Sequence, residues 1–410
     1  MRRLTLLLAL FATTAISISA EELETQETNG EIATPHSDQR SEKATIEVPA
    51  WVKNIKFSGY GMLQYQGTDQ EGAKSNTFNL RLARFILDGK IGDFDWRAQI
   101  QGTNAKGPGE PTVQLVDLYA EWRKYPEFKI RAGQFKRAFT YENPTHPITQ
   151  GWRAYADVIN NLSGFGDRTG EKSSGGRDIG IQFSGDLFPN AEGRRLFHYQ
   201  IGIYNGEGIN TKDKDNKKDI IGGLWVMPIK GLRIGAFGWT GTRGEMSSTY
   251  YYLEDMLVNG GKDKTQLKNQ TLTIQSARKN RYALSAEYSQ DEYMFRAEYL
   301  HSQGWGSNLN FGDKADGWYV FGIVPVIKSK LHAKARYQCY RQDKSWNRSE
   351  IEDSDGKKYT YGGAKTSYEV GLNYFFTKNL EMHLEYARIN DRSLAKHNYN
   401  MVDVELDFRF

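Results

Sequence analysis

Cysteine is almost missing from this chain of 410 residues, where Cys339 stands alone. A single thiol excludes an intramolecular disulfide framework and any cysteine-based zinc or iron–sulfur site. Proline is scarce as well, with 10 residues against 41 glycines. No apolar run of membrane-helix length recurs, and the polar average excludes a helical membrane protein. Neither absence bears on a membrane barrel, because lipid-facing and lumen-facing side chains alternate there and cancel in any average. Aromatic residues, by contrast, are plentiful, with 24 Tyr, 20 Phe and 9 Trp. Together with abundant glycine they lean toward many strands.

The first residues read as an address. Met1-Arg2-Arg3 precedes Leu4-Thr5-Leu6-Leu7-Leu8-Ala9-Leu10-Phe11, and a small-residue stretch ends at Ala20. A charged start, a short apolar middle and a small-residue end predict a secretory signal over 1–20. Residues 21–50 carry eight acids against Arg40 and Lys43 and almost nothing apolar, so a disordered acidic lead-in is expected. The whole chain is +4; setting aside +2 for residues 1–20 and −6 for residues 21–50 leaves +8 on residues 51–410.

From Lys53 onward the dominant signal has period two. Tyr282, Leu284, Ala286 and Tyr288 share one face, while Arg281, Ser285 and Glu287 take the other. Lys330–Cys339 sets Leu331, Ala333, Ala335 and Tyr337 against His332, Lys334 and Arg336. A helix would mix these sets and a strand separates them. Sixteen such strands are predicted, near 55–66, 77–90, 93–101, 113–123, 128–136, 178–187, 196–205, 218–227, 231–240, 280–288, 293–302, 317–324, 330–341, 367–376, 379–388 and 399–410. Their connectors alternate. Tight links at 91–92, 124–127, 228–230, 289–292 and 377–378 are set against long ones at 67–76, 102–112, 137–177, 241–279, 303–316 and 342–366. Short turns on one rim and long loops on the other predict a closed antiparallel transmembrane β-barrel over 51–410. The last strand, Val402–Phe410, alternates apolar and charged residues without exception and should close against 55–66.

Catalytic motifs do not emerge. The seven histidines are scattered, and no GxSxG, HExxH or GxxxxGK[ST] occurs. His332 and His383 fall on lumen faces and would be the candidates for a barrel lipid hydrolase. The Asp/Lys-rich run 213–219 lacks the glycine and the bidentate glutamate of a calcium loop. What stands out is charge on the inward faces. The basic residues include Arg81, Arg97, Lys129, Arg131, Arg281, Arg296, Lys334 and Arg336, and the acids include Asp117, Glu121, Glu287, Glu298, Glu369, Glu381 and Glu385. Rings of charge in a narrow aqueous pore select ions. The connector 137–177 is the natural constrictor and is itself rich in charge.

Several stretches resemble the phosphate-selective porin O and P family. They are Arg81-Leu82-Ala83-Arg84 leading to Asp88-Gly89-Lys90-Ile91, Val116-Asp117-Leu118-Tyr119-Ala120-Glu121-Trp122, Gly133-Gln134-Phe135-Lys136 before the long loop, and Gly176-Arg177-Asp178-Ile179-Gly180. Tyr141-Glu142-Asn143-Pro144 is similar to Bacteroides-like versions. The resemblance implies a sixteen-stranded, trimeric outer-membrane channel of a Gram-negative cell, installed by the barrel assembly machinery, with an inward-folded third loop. It also implies basic residues that pass phosphate. Arg81 matches the first of the family's adjacent arginines and Lys136 the lysine after Gly-Gln-Phe, while Leu82 replaces the second arginine.

The expected function is therefore passive diffusion of small hydrophilic solutes with a preference for anions, with no cofactor, metal or nucleic acid involved. Lys136, Arg137 and Arg81 are expected at the electrostatic eyelet, and Arg84, Arg131 and Arg177 on its approach. The competing readings are a barrel lipid hydrolase and a structural or adhesive barrel with a plugged lumen.

Overall fold

A computed structural model describes residues 55–103, 113–170, 175–258, 262–304, 306, 313–344, 348–352, 356 and 358–410. The expected signal segment 1–20 and acidic lead-in 21–50 lie outside the described residues. Sixteen strands form one closed antiparallel barrel. In chain order they are β1 (Lys56–Thr68), β2 (Ser75–Ile91), β3 (Phe94–Gly102), β4 (Val113–Tyr125), β5 (Phe128–Lys136), β6 (Arg177–Pro189), β7 (Arg195–Tyr204), β8 (Asp219–Val226), β9 (Leu232–Val258), β10 (Lys262–Gln290), β11 (Tyr293–Gln303), β12 (Lys314–Ile327) and β13 (Leu331–Arg341). Then β14 (Arg348–Glu352) and β15 (Lys358–Gly362) pair only with each other, outside the ring, before β16 (Ala364–Thr377), β17 (Leu380–Asp391) and β18 (Asn398–Arg409) complete it. The seam is the expected one. β18 pairs with β1 from Tyr60↔Arg409 to Thr68↔Met401, so the wall has no open edge.

The alternation read from the sequence appears as a reversal of ordinary burial. Val402 is 40% exposed and its neighbour Asp403 only 2%. The same holds around the ring: Leu284, Phe295, Val370 and Tyr386 face outward, while Arg281, Arg296, Glu369 and Glu385 are buried. An apolar exterior with a charged interior is the arrangement of a sheet whose outside faces hydrocarbon.

Two local features set the geometry of the lumen. In the β1–β2 pair the register shifts between Met62 and Leu63, which face Leu82 and Leu80, so Arg81 is the extra residue of a bulge. Arg81 and Arg84 lie at positions of opposite parity, and the bulge lets both reach inside. Gly133 in β5 has φ +131°, and a Cβ there would fall against the Leu118 carbonyl oxygen of β4. The backbones of β4 and β5 come together there because no side chain intervenes.

One expected loop is not a loop. Residues 241–279 fall almost wholly within β9 and β10, which stay paired from Lys262↔Val258 down to Tyr288↔Leu232. β8 pairs with β9 only as far as Thr240, so the hairpin continues beyond the wall. The expected connector 342–366 likewise contains β14 and β15. In both places polar and aromatic residues alternate too weakly to be told from a loop by composition.

Replacing Gly133 with Ala combines backbone strain of about 1–3 kcal/mol with the carbonyl contact. We expect a lower denaturant midpoint and a smaller fraction of unboiled protein migrating as folded barrel on gels. An unchanged midpoint would refute this account of β5.

Candidate functional site

The segment between β5 and β6 turns into the barrel and is fixed to one side of it. It includes a 3₁₀ turn at Pro147–Thr149 and a short helix, α1 (Asp157–Leu162). Trp152, Tyr155, Val158, Ile159 and Leu162 join inward residues of the wall, among them Trp239, Tyr319, Phe321 and Tyr340, in a buried apolar cluster. Burial of this kind drives the docking, and the polar wall residues fix its position. Backbone N–H groups of Tyr141, Arg153 and Asp157 donate to Glu298 (2.5 Å), Glu385 (2.9 Å) and Gln338 (2.7 Å). In the opposite sense, Lys334 donates to Gly151 O (2.7 Å), Arg336 to Ala154 O (2.8 Å) and Arg281 to Leu162 O (2.8 Å). Arg281 also grips Asp167 through two hydrogen bonds, of 2.6 and 2.8 Å. Burial would raise the Asp167 carboxyl, but Arg281 outweighs it and holds the group below the usual carboxylate range.

This docking changes the expected lining of the lumen. Glu298, Glu369 and Glu385 do point inward, but each is buried and engaged with the loop or with a basic neighbour, such as Arg336 for Glu369 and Lys334 for Glu385. The carboxylates of this side are covered.

The open space lies on the other side, against β3 to β9. A cavity of about 410 Å³ is lined there by Arg97, Arg123, Lys129, Arg131, Lys136 and Arg233, with Asp117 and Glu121 as its acids. Several of these cations are paired. Arg131 meets Glu121 at 3.0 Å and Arg233 meets Glu287 at 2.8 Å. In both pairs the guanidinium stands forward, with side-chain exposures of 27% against 11% and 30% against 8%. Arg97–Asp88 and Lys129–Asp186 share exposure about equally.

At the loop end of the cavity the cations converge. Arg177 makes a two-point bond with Asp117 (2.6 and 3.0 Å). Arg84 donates to the neutral Gln101 side chain (2.9 and 2.6 Å), and Lys136 donates to Asn143 O (2.5 Å), Thr145 O (2.9 Å) and Tyr155 Oη (3.1 Å). Two of the three cations are thus held by neutral oxygens. His146, in the loop, senses the result. Burial, then the charges of Lys136, Arg84, Arg177 and Arg97, push its pKa down to about 3. It therefore remains uncharged at neutral pH, with Arg97 Nη1 3.3 Å from its Nε2.

Of the six expected residues, Arg131, Lys136, Arg137 and Arg177 border this cavity, and Arg84 is buried outside its lining. Arg81 turns instead across β1 to Glu405 of β18 (2.6 Å). Arg137 is fully buried, against Asp178 at 3.1 Å and over the Trp239 ring. His146 and Arg233 were not singled out from the sequence. Alternation along β9 could have found Arg233, but nothing local marks His146. The two histidines considered for hydrolysis sit among wall charges. His332 contacts Glu292 (2.9 Å), and His383 Nε2 lies between Asp407 (3.4 Å) and Glu381 (3.7 Å). On the other side of the ring, Lys334 Nζ lies 3.2 Å from His383 Nδ1. His383 Nε2 makes no hydrogen bond among the described residues, and with Glu381 and Asp407 it forms a buried group whose metal-ligand atoms lie within 4.8 Å of one another.

Comparison with known proteins agrees with the resemblance read in the sequence. Residues 58–218 match the family model described as Phosphate-selective porin O and P. Among solved structures, an anion-selective porin from Comamonas acidovorans aligns at TM-score 0.55 and 10% identity, covering 87% of this chain and 99% of that one. OmpF of Salmonella typhi aligns at TM-score 0.55 and 12% identity, covering 87% and 98%. The outer membrane channel DcaP of Acinetobacter baumannii aligns at TM-score 0.52 and 12% identity, covering 87% and 97%. At such identities the likeness is one of fold, the closed sixteen-stranded barrel.

Loop docking through buried charge is open to test. Lys334→Met leaves Glu385 buried without its lysine, at a cost of about 3–5 kcal/mol. We expect trypsin to cut the otherwise intact barrel after Arg153, where the native protein resists. Equal resistance would disprove the role given to Lys334.

Proposed function

We propose that this chain, whose residues 58–218 carry the porin O and P pattern, is a passive outer-membrane channel for small hydrophilic solutes that favours anions. In this reading it is exported by its N-terminal segment, installed by the barrel assembly machinery and assembled as a trimer, as the family resemblance implies. Diffusion needs neither fuel nor a covalent step, so the chemistry asked of the protein is electrostatic.

The observation that carries the anion preference is the cluster of Arg84, Lys136, Arg177 and Arg97 around one loop tip, with Asp117 bonded to Arg177 and Asp88 to Arg97. Cations held by neutral oxygens keep their field, and a low-dielectric wall focuses it into the water. Further along the cavity Arg131 and Arg233 extend the positive face, while the acids of the opposite wall are hidden beneath the loop. An anion entering there meets guanidinium and ammonium groups before it meets a carboxylate. The anion-selective porin of Comamonas acidovorans offers a precedent for this behaviour on the same fold.

Selection for phosphate in particular has weaker support. Leu82, where the family has an arginine, packs with Tyr60, Met62, Ile86 and the loop's Ile148. An apolar contact between wall and loop thus replaces one cation. We therefore assign the channel to small anions as a class, phosphate among them.

Reversal potentials across planar bilayers in a KCl gradient test the proposal. The sign should report chloride over potassium, and cation preference would overturn it. Lys136→Glu should cut the anion-to-cation permeability ratio several-fold or invert it, and an unchanged ratio would remove the cluster from the explanation.

A further inference from the structure

Near the end of the chain the inward faces of two neighbouring strands crowd five acids around one histidine. Glu381, His383 and Glu385 of β17 stand in register with Asp407, Glu405 and Asp403 of β18, and none of the six is more than 3% exposed. Buried carboxylates need partners, and four find them. Glu405 takes Arg81 at two points (2.6 and 2.8 Å), Glu385 takes Lys334, Glu381 accepts from Arg409, and Asp403 Oδ2 accepts from Gln64 (2.8 Å). Asp407 is the exception. Neither of its carboxylate oxygens has a hydrogen-bond partner among the described residues, and neither has His383 Nε2, which faces it at 3.4 Å. On its other side, in register on β1, stands the apolar Met62. Two unsatisfied polar side chains, each more than nine-tenths buried, are thus aimed at one spot.

We propose that Glu381, His383 and Asp407 hold one divalent transition-metal ion of the zinc and cobalt kind, which pins β17 to the strand that closes the barrel. The spacing suits such an ion. Two ligands of a tetrahedral zinc, with bonds of about 2.0–2.1 Å, stand roughly 3.4 Å apart. Nε2 lies 3.4 Å from Asp407 Oδ2 and 3.7 Å from Glu381 Oε1, and the ligand atoms of all three residues fall within 4.8 Å of one another. The donor set chooses the class of metal. An imidazole nitrogen favours zinc, cobalt or nickel over calcium and magnesium, which take oxygen ligands. Two carboxylates balance the charge of a divalent ion, and Arg409 orients Glu381 from the outer shell. Arg409 also donates to Ile148 O (2.8 Å), which couples the site to the inward loop. A cavity of about 290 Å³ beside the 3₁₀ turn, lined by Ile148, Thr149, Asn373, Glu381 and Arg409, admits water and ions on the Glu381 side.

One neighbour opposes binding. Lys334 Nζ stands 3.2 Å from His383 Nδ1, and metal on Nε2 leaves the ring proton on Nδ1, facing that ammonium. The lysine must then turn from the ring, keeping Glu385 and Gly151 O (2.7 Å) as acceptors. A protonated His383 would instead satisfy Asp407 without any metal, and experiment separates the two states.

The full-length barrel, treated with a chelator and confirmed as folded by its migration on unboiled gels, is titrated with cobalt and followed by its visible absorption. One equivalent should bind and be displaced by zinc. His383→Gln and Asp407→Asn should each weaken binding by more than about tenfold, the lower end of what losing even an outer-shell partner costs. His397→Gln should bind as the native protein does. X-ray absorption at the zinc edge of the native protein should show one imidazole together with oxygen ligands, a readout that stands if either variant fails to fold. No saturable binding at millimolar cobalt would overturn the proposal and leave His383 as the charged partner of Asp407. An unchanged cobalt band in His383→Gln, or a zinc spectrum without imidazole, would overturn it as well. None of these outcomes depends on conductance.

Discussion

The hydrogen-bonded ladder between β18 and β1 is the constraint on which the rest of this molecule depends. Once the last strand pairs with the first, no strand edge of the wall is left to satisfy, and the outside can be given over to apolar side chains. Every second residue must then point into a space that is narrow and shared. Sixteen strands direct so much charge inward that pairing becomes obligatory, since a buried ion without a partner costs several kcal/mol. The inward loop answers that requirement. Its backbone N–H and C=O groups add further partners to Glu298, Glu385, Lys334 and Arg336, and its aromatic residues fill the volume between them.

An asymmetry follows. The loop lies against β10 to β17, where acids are numerous, and covers them. The remaining opening runs along β3 to β9, where arginines and lysines outnumber acids at the surface. In the proposed channel, ion preference would arise less from the net charge of the chain than from which wall the loop conceals.

Much of this was legible in the sequence, and the boundary of legibility has a physical basis. Period two is a binary signal, so all sixteen wall strands and the β18–β1 seam could be placed. Pairs that face each other across a tight hairpin could in principle be read as well. Arg84 and Gln101 are direct partners once the turn at Gly92 fixes the register, and so are Glu121 and Arg131. The partner of Arg81 could not be read, because Glu405 stands on β18, beyond β1, and alternation marks only which face a side chain takes. The Arg177–Asp117 bond joins strands that are not neighbours, and Lys136 is held by carbonyl oxygens that depend on the path of a loop. Neither follows from alternation. The extended β9–β10 hairpin escaped for another reason: the run 241–279 keeps no sustained alternation of apolar and polar residues.

The forward placement of Arg131 and Arg233, with Glu121 and Glu287 behind them, has a consequence for the environment in which such a channel discriminates. Each pair meets the water as a small dipole with its positive end toward the passing solute, and a dipole's influence fades with distance faster than that of a bare charge. Dissolved ions shorten the reach further, from about 10 Å at 0.1 M to about 3 Å at 1 M. If the proposed channel discriminates through this lining, it would do so in dilute surroundings and at the narrowest part of the passage. In brine the same channel would sort its traffic by size.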